Sequence, residues 1–504
     1  MADVGNLKES SETKSGILAG AINTDARHST FVNIAGNLYN TYVNAVSDSA
    51  EILATLKPVE RGACYVPTCL DGTREKIFDE IDQWLSDVDA PNVVWLAGGP
   101  GAGKSTIASS LVSKLTVRRR LGASFFFRRG NAMLSDPSAL WRTVAYDLAL
   151  FEPIFSINLV KALKERRIDP GWPDIALHFK ILVQELLTKT YDHTPAHTLP
   201  VILIDAFDEC DSDHSPAQQK ALLDTLTQWS YLPKKFKLIV TGRDDRVPQS
   251  FRVVCKQIML HTGDNVDDDA NKDIRHFFQE HFAELGGSSF PQWPGKYVLD
   301  ALTQRAAGLF IWAETVVRFL EQGLPNEQLS LVLKSDLGGE DNITKLYRQV
   351  LKSSFRNVNS RMLEVTRAVI STIVLAKVPL YYADVHKFVS QPHQSIEFIL
   401  KKLATVILIG NTDKCVYFGH LSFNEFLCDP KRCPEQFFID REKDSRQLAE
   451  ACLRLMKDGL KFNICDLETS HVLNKNLPEQ ISEQIETAIP PPLSYSCRFW
   501  AVHL

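Results

Sequence analysis

The sequence lacks the features that mark membrane-spanning, secreted or zinc-stapled proteins. No apolar run approaches the ~18 residues that a membrane-spanning helix needs, and the polar N-terminus has no apolar core of a secretory signal. The ten cysteines stand singly, without a CxxC pair or the cysteine and histidine spacing of a zinc site. We therefore expect reduced thiols, no membrane span and a cytoplasmic location.

Strong charge and internal repetition are also missing. A formal net charge of -5 gives no electrostatic reason to expect a nucleic-acid partner. The short basic runs at residues 118–120 and 128–129 are interpreted as solvated surface. No repeat of ~20 to 50 residues is found up to Leu504. With 504 residues, the chain has room for roughly three or four ordinary globular domains.

Short apolar segments alternate with amphipathic ones between about residues 60 and 262. This alternation predicts a parallel sheet flanked by helices. The predicted strands are residues 93–97, 123–127, 201–205, 237–241 and 253–260. Later segments are mostly helical, including one long predicted helix at 298–321, with short strands only at 406–409 and 416–420.

A complete phosphate-binding motif follows the first predicted strand. Its spacing, G-x4-G-K-[ST], lets backbone N–H groups curl around phosphates at the start of a helix. Lys104 would reach the β- and γ-phosphates, and the Ser105 hydroxyl would bind Mg²⁺. The motif predicts ATP or GTP with Mg²⁺, and no side chain decides between the two bases. The expected nucleotide-binding residues are Gly98, Gly99, Pro100, Gly101, Ala102, Gly103, Lys104, Ser105 and Thr106.

Two further strands are predicted to end in charged side chains. The apolar run at 201–205 ends in Asp205, which would hold the same Mg²⁺. Asp208 and Glu209 follow it, and either could act as general base or simply begin a helix with favourable charge. The strand at 237–241 leads to Arg243. At that edge of a parallel sheet, Arg243 could sense the γ-phosphate or lie in a surface loop.

These motifs together resemble the NACHT domain of STAND-class signalling NTPases, especially fungal NLR-like proteins. The resemblance covers about residues 60 to 504. Its marker segments are residues 70–74, 205–209, 241–243, 305–313, 346–347, 420–427 and 495–501.

The resemblance implies a closed ADP-bound monomer, an open NTP-bound homo-oligomer, and slow hydrolysis or exchange as a timer. It implies that His420 contacts the ADP phosphate, although an ordinary buried histidine remains the alternative. Thr73 and Arg74 fall at the segment that flanks adenine. Phe310 and Ile311 replace a proline that contacts adenine in plant-type relatives, which weakens the case for such a contact here.

The implied fold class is an α/β P-loop NTPase core, then a helical domain, a winged-helix domain and a C-terminal helical segment. The expected boundaries are 1–57 for a leader with a short helix, 58–262, 263–355, 356–430 and 431–504. The leader could contact an effector protein. Residues 32–40 are either a short amyloid-type signalling motif or part of a plain flexible leader or β-arm.

Two alternatives to a nucleotide-controlled switch stay open. One is an ordinary P-loop ATPase or kinase, against which stands the lack of an arginine-rich lid or an acceptor-substrate signature. The other is a scaffold that holds nucleotide without hydrolysing it. We also expect sensor repeats, which such proteins carry after the winged helix, to be missing from the residues up to Leu504.

Overall fold

The computed structural model describes residues 49–59, 66–165, 168–191, 198–210, 216–244, 249–286, 293–334, 342–410, 413–467 and 481–504. The signalling motif considered at residues 32–40, and most of the segment considered for an effector, lie outside these ranges. The chain forms two compact units, Met1–Thr55 and Leu56–Leu504. In the first unit, residues 49–54 are helical. All that follows concerns the second unit.

Five parallel strands form the central sheet of the second unit, in the spatial order β2-β3-β4-β1-β5. Every residue of β1, β3 and β4 is buried, as their nearly continuous apolar sequences predict for strands covered on both faces. The strands are β1 Val93–Gly98, β2 Leu121–Phe126, β3 Val201–Asp205, β4 Leu238–Gly242 and β5 Lys256–Leu260.

Helices connect these strands and cover the sheet. Apolar side chains of the helices before and after the P-loop, such as Ile81, Leu111 and Leu115, pack on residues of β1, β3 and β4. The connecting helices are α1 Glu75–Ser86, α2 Lys104–Val117, α3 Ala139–Phe151, α4 Pro153–Lys164, α5 Ile175–His178, α6 Glu185–Tyr191, α7 Pro216–Ser230 and α8 Gln249–Arg252, with a π-helical stretch Phe179–Gln184 between α5 and α6.

After β5 the described chain is almost entirely helical and builds its own apolar core. The helices are α9 Asp268–Gly286, α10 Lys296–Ala306, α11 Phe310–Glu321, α12 Pro325–Lys334, α13 Asn342–Ser354, α14 Ser360–Leu375, α15 Val385–Val389, α16 His393–Lys402, α17 Leu421–Leu427, α18 Arg441–Gly459, α19 Ile481–Ala488 and α20 Pro491–Phe499. An antiparallel hairpin, β6 Ile407–Ile409 and β7 Val416–Phe418, precedes α17. We call residues 360–427 the hairpin segment.

The predicted fold class, an α/β NTPase core followed by helical domains, is confirmed. Two element predictions were wrong. The strand predicted at 253–260 begins only at Lys256, because the chain before it turns through α8 and leaves Val253 exposed. The single helix predicted at 298–321 is two helices, since Ala307 and Gly308 take positive φ values of 47° and 81° between them.

None of the helices in the described part of the chain combines the length and the apolar character needed to cross a bilayer.

Candidate functional site

The order of the strands brings the predicted functional residues to one edge of the sheet. β4 lies between β3 and β1, and all three strands run parallel. Their carboxyl ends therefore meet at the edge where ligands bind in open α/β sheets. Asp205 ends β3, Arg243 follows β4, and Gly98 leads into the phosphate-binding loop.

The loop from Gly98 to Lys104 has the backbone shape that a phosphate cradle requires. Gly101 and Gly103 take φ values of 80° and 92°, which residues with a Cβ adopt only at a cost. The Lys104 ammonium donates to the carbonyl oxygens of Gly98 (2.9 Å) and Gly99 (3.0 Å). Burial lowers the pKa of Lys104, and the carboxylates of Asp208 and Asp205 oppose this shift. The lysine is thus held over the loop in a setting that favours an added anion.

Asp205 lies fully buried at the end of its strand. The Thr241 hydroxyl donates to its Oδ1 at 2.5 Å and accepts from the N–H of Ala206 at 2.9 Å. Desolvation raises the pKa of Asp205, while hydrogen bonds from Thr241 and Ser105 counter that rise. The structure therefore brings together Ser105 and Asp205, the two residues predicted to hold the metal.

The oxygens of Ser105 and Asp205 suit Mg²⁺, which takes few protein ligands and relies on water and phosphate for the rest. Among the described residues there is no group of three or more His, Cys, Asp or Glu side chains that could hold a metal without them. The donor set therefore fits a magnesium ion that arrives with a polyphosphate.

The two acidic residues after β3 differ in their surroundings. The Glu209 carboxylate accepts from the backbone N–H of Arg129 at 3.1 Å, and desolvation raises the pKa of Glu209 to about 7. A pKa near the working pH suits a general base. Asp208 instead forms an ion pair with Arg243 (Oδ2 to Nε, 2.9 Å), and its buried Oδ1 has no hydrogen-bond partner among the described residues.

Arg243 also reaches beyond the α/β core. Its Nη2 donates to Oε1 of Glu425 in α17 at 2.8 Å, and the same oxygen lies 3.5 Å from Nη1 of Arg129. Arg129 donates from Nη2 to the carbonyl oxygen of Asp208. Reading Arg129 as solvated surface was therefore wrong, since its side chain is only 28% exposed. Its position just after β2, at the same sheet edge, was the signal in the sequence that pointed to the site.

His420 caps the N-terminus of α17 and faces the phosphate-binding loop. Its Nδ1 accepts from the Ser422 N–H at 3.0 Å, so the neutral ring carries its proton on Nε2. Desolvation, with Lys104 and Arg243 nearby, lowers the pKa of His420 to about 4. The ring is thus neutral at pH 7 with Nε2–H as a donor. A Cβ added at Gly101 would lie 3.9 Å from its Cε1.

Helix α11 contacts the same loop from another side. The N–H of Ile311 donates to the Gly101 carbonyl oxygen at 3.2 Å. Phe310 lies under the guanidinium of Arg74, 4.5 Å from ring centroid to Cζ. Arg74 is buried and donates from Nη2 to the Ala102 carbonyl oxygen at 2.7 Å. The sequence did not predict this contact between Arg74, Phe310 and the loop, because Arg74 and Phe310 are far apart along the chain.

A cavity of about 740 Å³ extends from the metal side of the loop. Ser105, Asp205 and Glu209 line it from the core, and the hairpin segment lines it with residues that include Tyr417 and His420. Glu209 and His420 therefore line one shared cavity.

Comparisons with known proteins agree with this geometry. The family model "Nephrocystin 3, N-terminal" matches residues 72–243, the stretch from just before α1 to Arg243. The vegetative incompatibility protein HET-E-1 of Podospora anserina is 23% identical over 448 residues, which cover 84% of this chain and 31% of that protein. The chain thus spans about a third of the length of this curated relative.

Solved structures show a more distant likeness. A STAND protein with a tetratricopeptide repeat sensor from Pyrococcus horikoshii has a TM-score of 0.44 and 14% identity, covering 89% of this chain and 55% of that one. The Walker-type ATPase of Pyrococcus abyssi has a TM-score of 0.36 and 12% identity, covering 71% of this chain and 97% of that one.

Two observations support a resemblance at the level of the family. Ordered motifs from Gly72 to Arg243 converge on one sheet edge and lie within the match to the family model. The similarity to HET-E-1 continues well beyond that region. These findings support a similarity to NACHT-type NTPases of the STAND class.

Proposed function

We propose that this chain is a cytoplasmic signalling switch controlled by ATP or GTP, with slow hydrolysis or exchange setting its lifetime. The observation that carries the proposal is the convergence on Gly101. The N–H of Ile311 in α11 donates to its carbonyl oxygen, and the His420 ring of the hairpin segment lies 3.9 Å from a Cβ built on Gly101. A nucleotide in this loop would contact three parts of the protein at once.

Some of these residues would bind the phosphates and Mg²⁺, and others would distinguish a diphosphate from a triphosphate. Lys104 and the N–H groups of the loop would bind the phosphates, with Ser105 and Asp205 holding Mg²⁺, which neutralises phosphate charge when bound. His420, neutral with its proton on Nε2, would donate to the terminal phosphate of a diphosphate. Arg243 would contact a third phosphate, and Glu209 would orient or deprotonate the attacking water.

A switch needs a ligand that prefers one arrangement of the protein over another. In the arrangement described here, α17 supplies both His420 at the loop and Glu425 at Arg243. We propose that this is the closed, diphosphate-bound state, that residues 356–430 act as a winged-helix domain, and that the triphosphate releases this segment and permits homo-oligomerisation.

The similarity to a vegetative incompatibility protein supports a role in fungal innate immunity or programmed cell death. By the same analogy, residues 1–57 would contact an effector protein. No other candidate function is favoured by a particular contact in the structure.

Binding of Mg·ADP to Lys104→Ala tests the proposal, with Lys114→Ala as control. Both lysines lie on α2, but Lys114 packs over the Phe78 ring instead of entering the loop. In calorimetric titrations we expect the parent and Lys114→Ala to bind alike and Lys104→Ala to show no binding. Equal binding by all three proteins would refute the assignment of the loop.

A further inference from the structure

Two arginines of the α/β core converge on one carboxylate oxygen of the hairpin segment. Arg243 Nη2 lies 2.8 Å and Arg129 Nη1 lies 3.5 Å from Oε1 of Glu425. The three side chains are 23% to 28% exposed. Guanidinium groups in such a setting prefer a carboxylate or a phosphate as partner. Glu425 therefore occupies the position of an anion between two permanent cations.

The place of this cluster relative to the phosphate loop suggests which anion competes. Arg243 follows β4, beside the strand that leads into the loop, and its Nε pairs with Asp208. Arg129 lines the same cavity as Ser105, Asp205 and Glu209. Both arginines thus lie on the metal side of the loop, where the third phosphate of a bound nucleotide would extend.

We propose that Glu425 imitates the terminal phosphate of a nucleoside triphosphate and competes with it for Arg129 and Arg243. The inference rests on the proposed function and adds the step by which the hairpin segment is released from the α/β core. A diphosphate leaves both arginines on Glu425, so α17 stays docked. A triphosphate takes the arginines and leaves the Glu425 carboxylate without its cations, which favours undocking of the segment that also carries His420.

Glu425→Gln tests the competition because it removes the charge and keeps the size of the side chain. We expect Mg²⁺ with a non-hydrolysable ATP analogue to bind this variant about tenfold more tightly than the parent, near the lower end of ordinary coupling between sites. Affinity for Mg·ADP should not rise, because ADP does not draw on the arginines and its contact with His420 needs α17 to be docked. Both affinities are measured by calorimetry on the full chain.

Glu442→Gln is the matched control. Glu442 pairs with Arg446 on the exposed face of α18, so its neutralisation should change neither affinity. Arg129→Ala gives the opposite arm. It should weaken binding of the analogue more than binding of ADP, and Glu425→Gln added to it should have a smaller effect than in the parent.

The outcomes separate this inference from the function on which it rests. If the parent binds ADP and the analogue but Glu425→Gln changes neither affinity, the competition is refuted while nucleotide binding stands. The competition is refuted in the same way if the variant binds ADP and the analogue more tightly by equal factors. If the parent binds no nucleotide at all, both proposals fall.

Discussion

Gly101→Ala should separate the start of α11 from the phosphate-binding loop. A Cβ at this position would lie 2.1 Å from Ile311 Cγ2, whereas ordinary contact begins at 3.4 Å. The start of α11 would have to retreat by more than an ångström. Overpacking of this kind costs about 1–3 kcal/mol, and the φ of 80° adds about 1–2 kcal/mol for a residue with a Cβ.

Hydrogen exchange of the α11 amides is the suitable assay, because it reports local opening of this helix separately from unfolding of the rest of the chain. Together these costs amount to about 2–5 kcal/mol, which would speed exchange roughly 30- to 5000-fold where local opening limits it. Gly130→Ala is the control, since Gly130 has a φ of 81° and no atom of the described part of the chain lies within 4 Å of its added Cβ. It carries the same backbone strain without the clash.

A second substitution checks the cause. Ile311→Ala removes Cγ2 and leaves only the Ile311 Cβ at 3.0 Å from the added atom. In the Gly101→Ala background it should restore much of the protection of α11. The steric reasoning is refuted if Gly101→Ala and Gly130→Ala speed exchange in α11 equally, or if the second substitution restores nothing.

Three further predictions concern the ionisable side chains Glu209, His420 and Arg74, all in the nucleotide-free protein. The pKa of Glu209 is raised to about 7 from its ordinary 4.5. The free energy of unfolding should therefore fall as pH rises from 5 to 8. The expected loss is about 1–2 kcal/mol, because solvent in the cavity screens part of the effect. Urea titrations of Glu209→Gln should lack this part of the pH dependence. Because the pKa of His420 is lowered to about 4, protonation should weaken docking of α17 as pH falls below 6.5, by about 1 kcal/mol at pH 5.5. Exchange of the α17 amides should show the loss in the parent and not in His420→Gln. Arg74→Ala should cost about 1–3 kcal/mol, because it leaves the Ala102 carbonyl oxygen without its buried donor and removes the guanidinium 3.9 Å from Asp273, although the backbone N–H of residue 74 still donates to Asp273. The midpoint temperature of thermal unfolding should fall accordingly. An unchanged midpoint would contradict a stabilising role for the contact between Arg74 and the loop.

The α/β core could be predicted because its signals are local. β3 is a continuous apolar run that ends in a carboxylate, and its predicted bounds match the observed Val201–Asp205. The P-loop motif places its helix at Lys104, as observed. Hydrophobic periodicity, local composition and the P-loop motif are therefore enough to predict most of the α/β core.

Contacts between distant segments could not be predicted in the same way. Nothing near Glu425 in the sequence indicates that it meets Arg129 and Arg243, since the three come together only when α17 docks on the core. The division of the helix predicted at 298–321 depends on a tertiary contact as well. A Cβ at Gly308 would lie 2.7 Å from the His261 carbonyl oxygen, so the close approach of two chain segments sets the break.

The mass of the protein in solution with each nucleotide tests the central claim most directly. Size-exclusion chromatography with light scattering would compare Mg·ADP with Mg²⁺ and a non-hydrolysable ATP analogue at equal protein concentration. The account predicts a monomer with ADP and a larger assembly with the analogue. The same mass in both, with both nucleotides bound, would contradict a switch governed by the third phosphate.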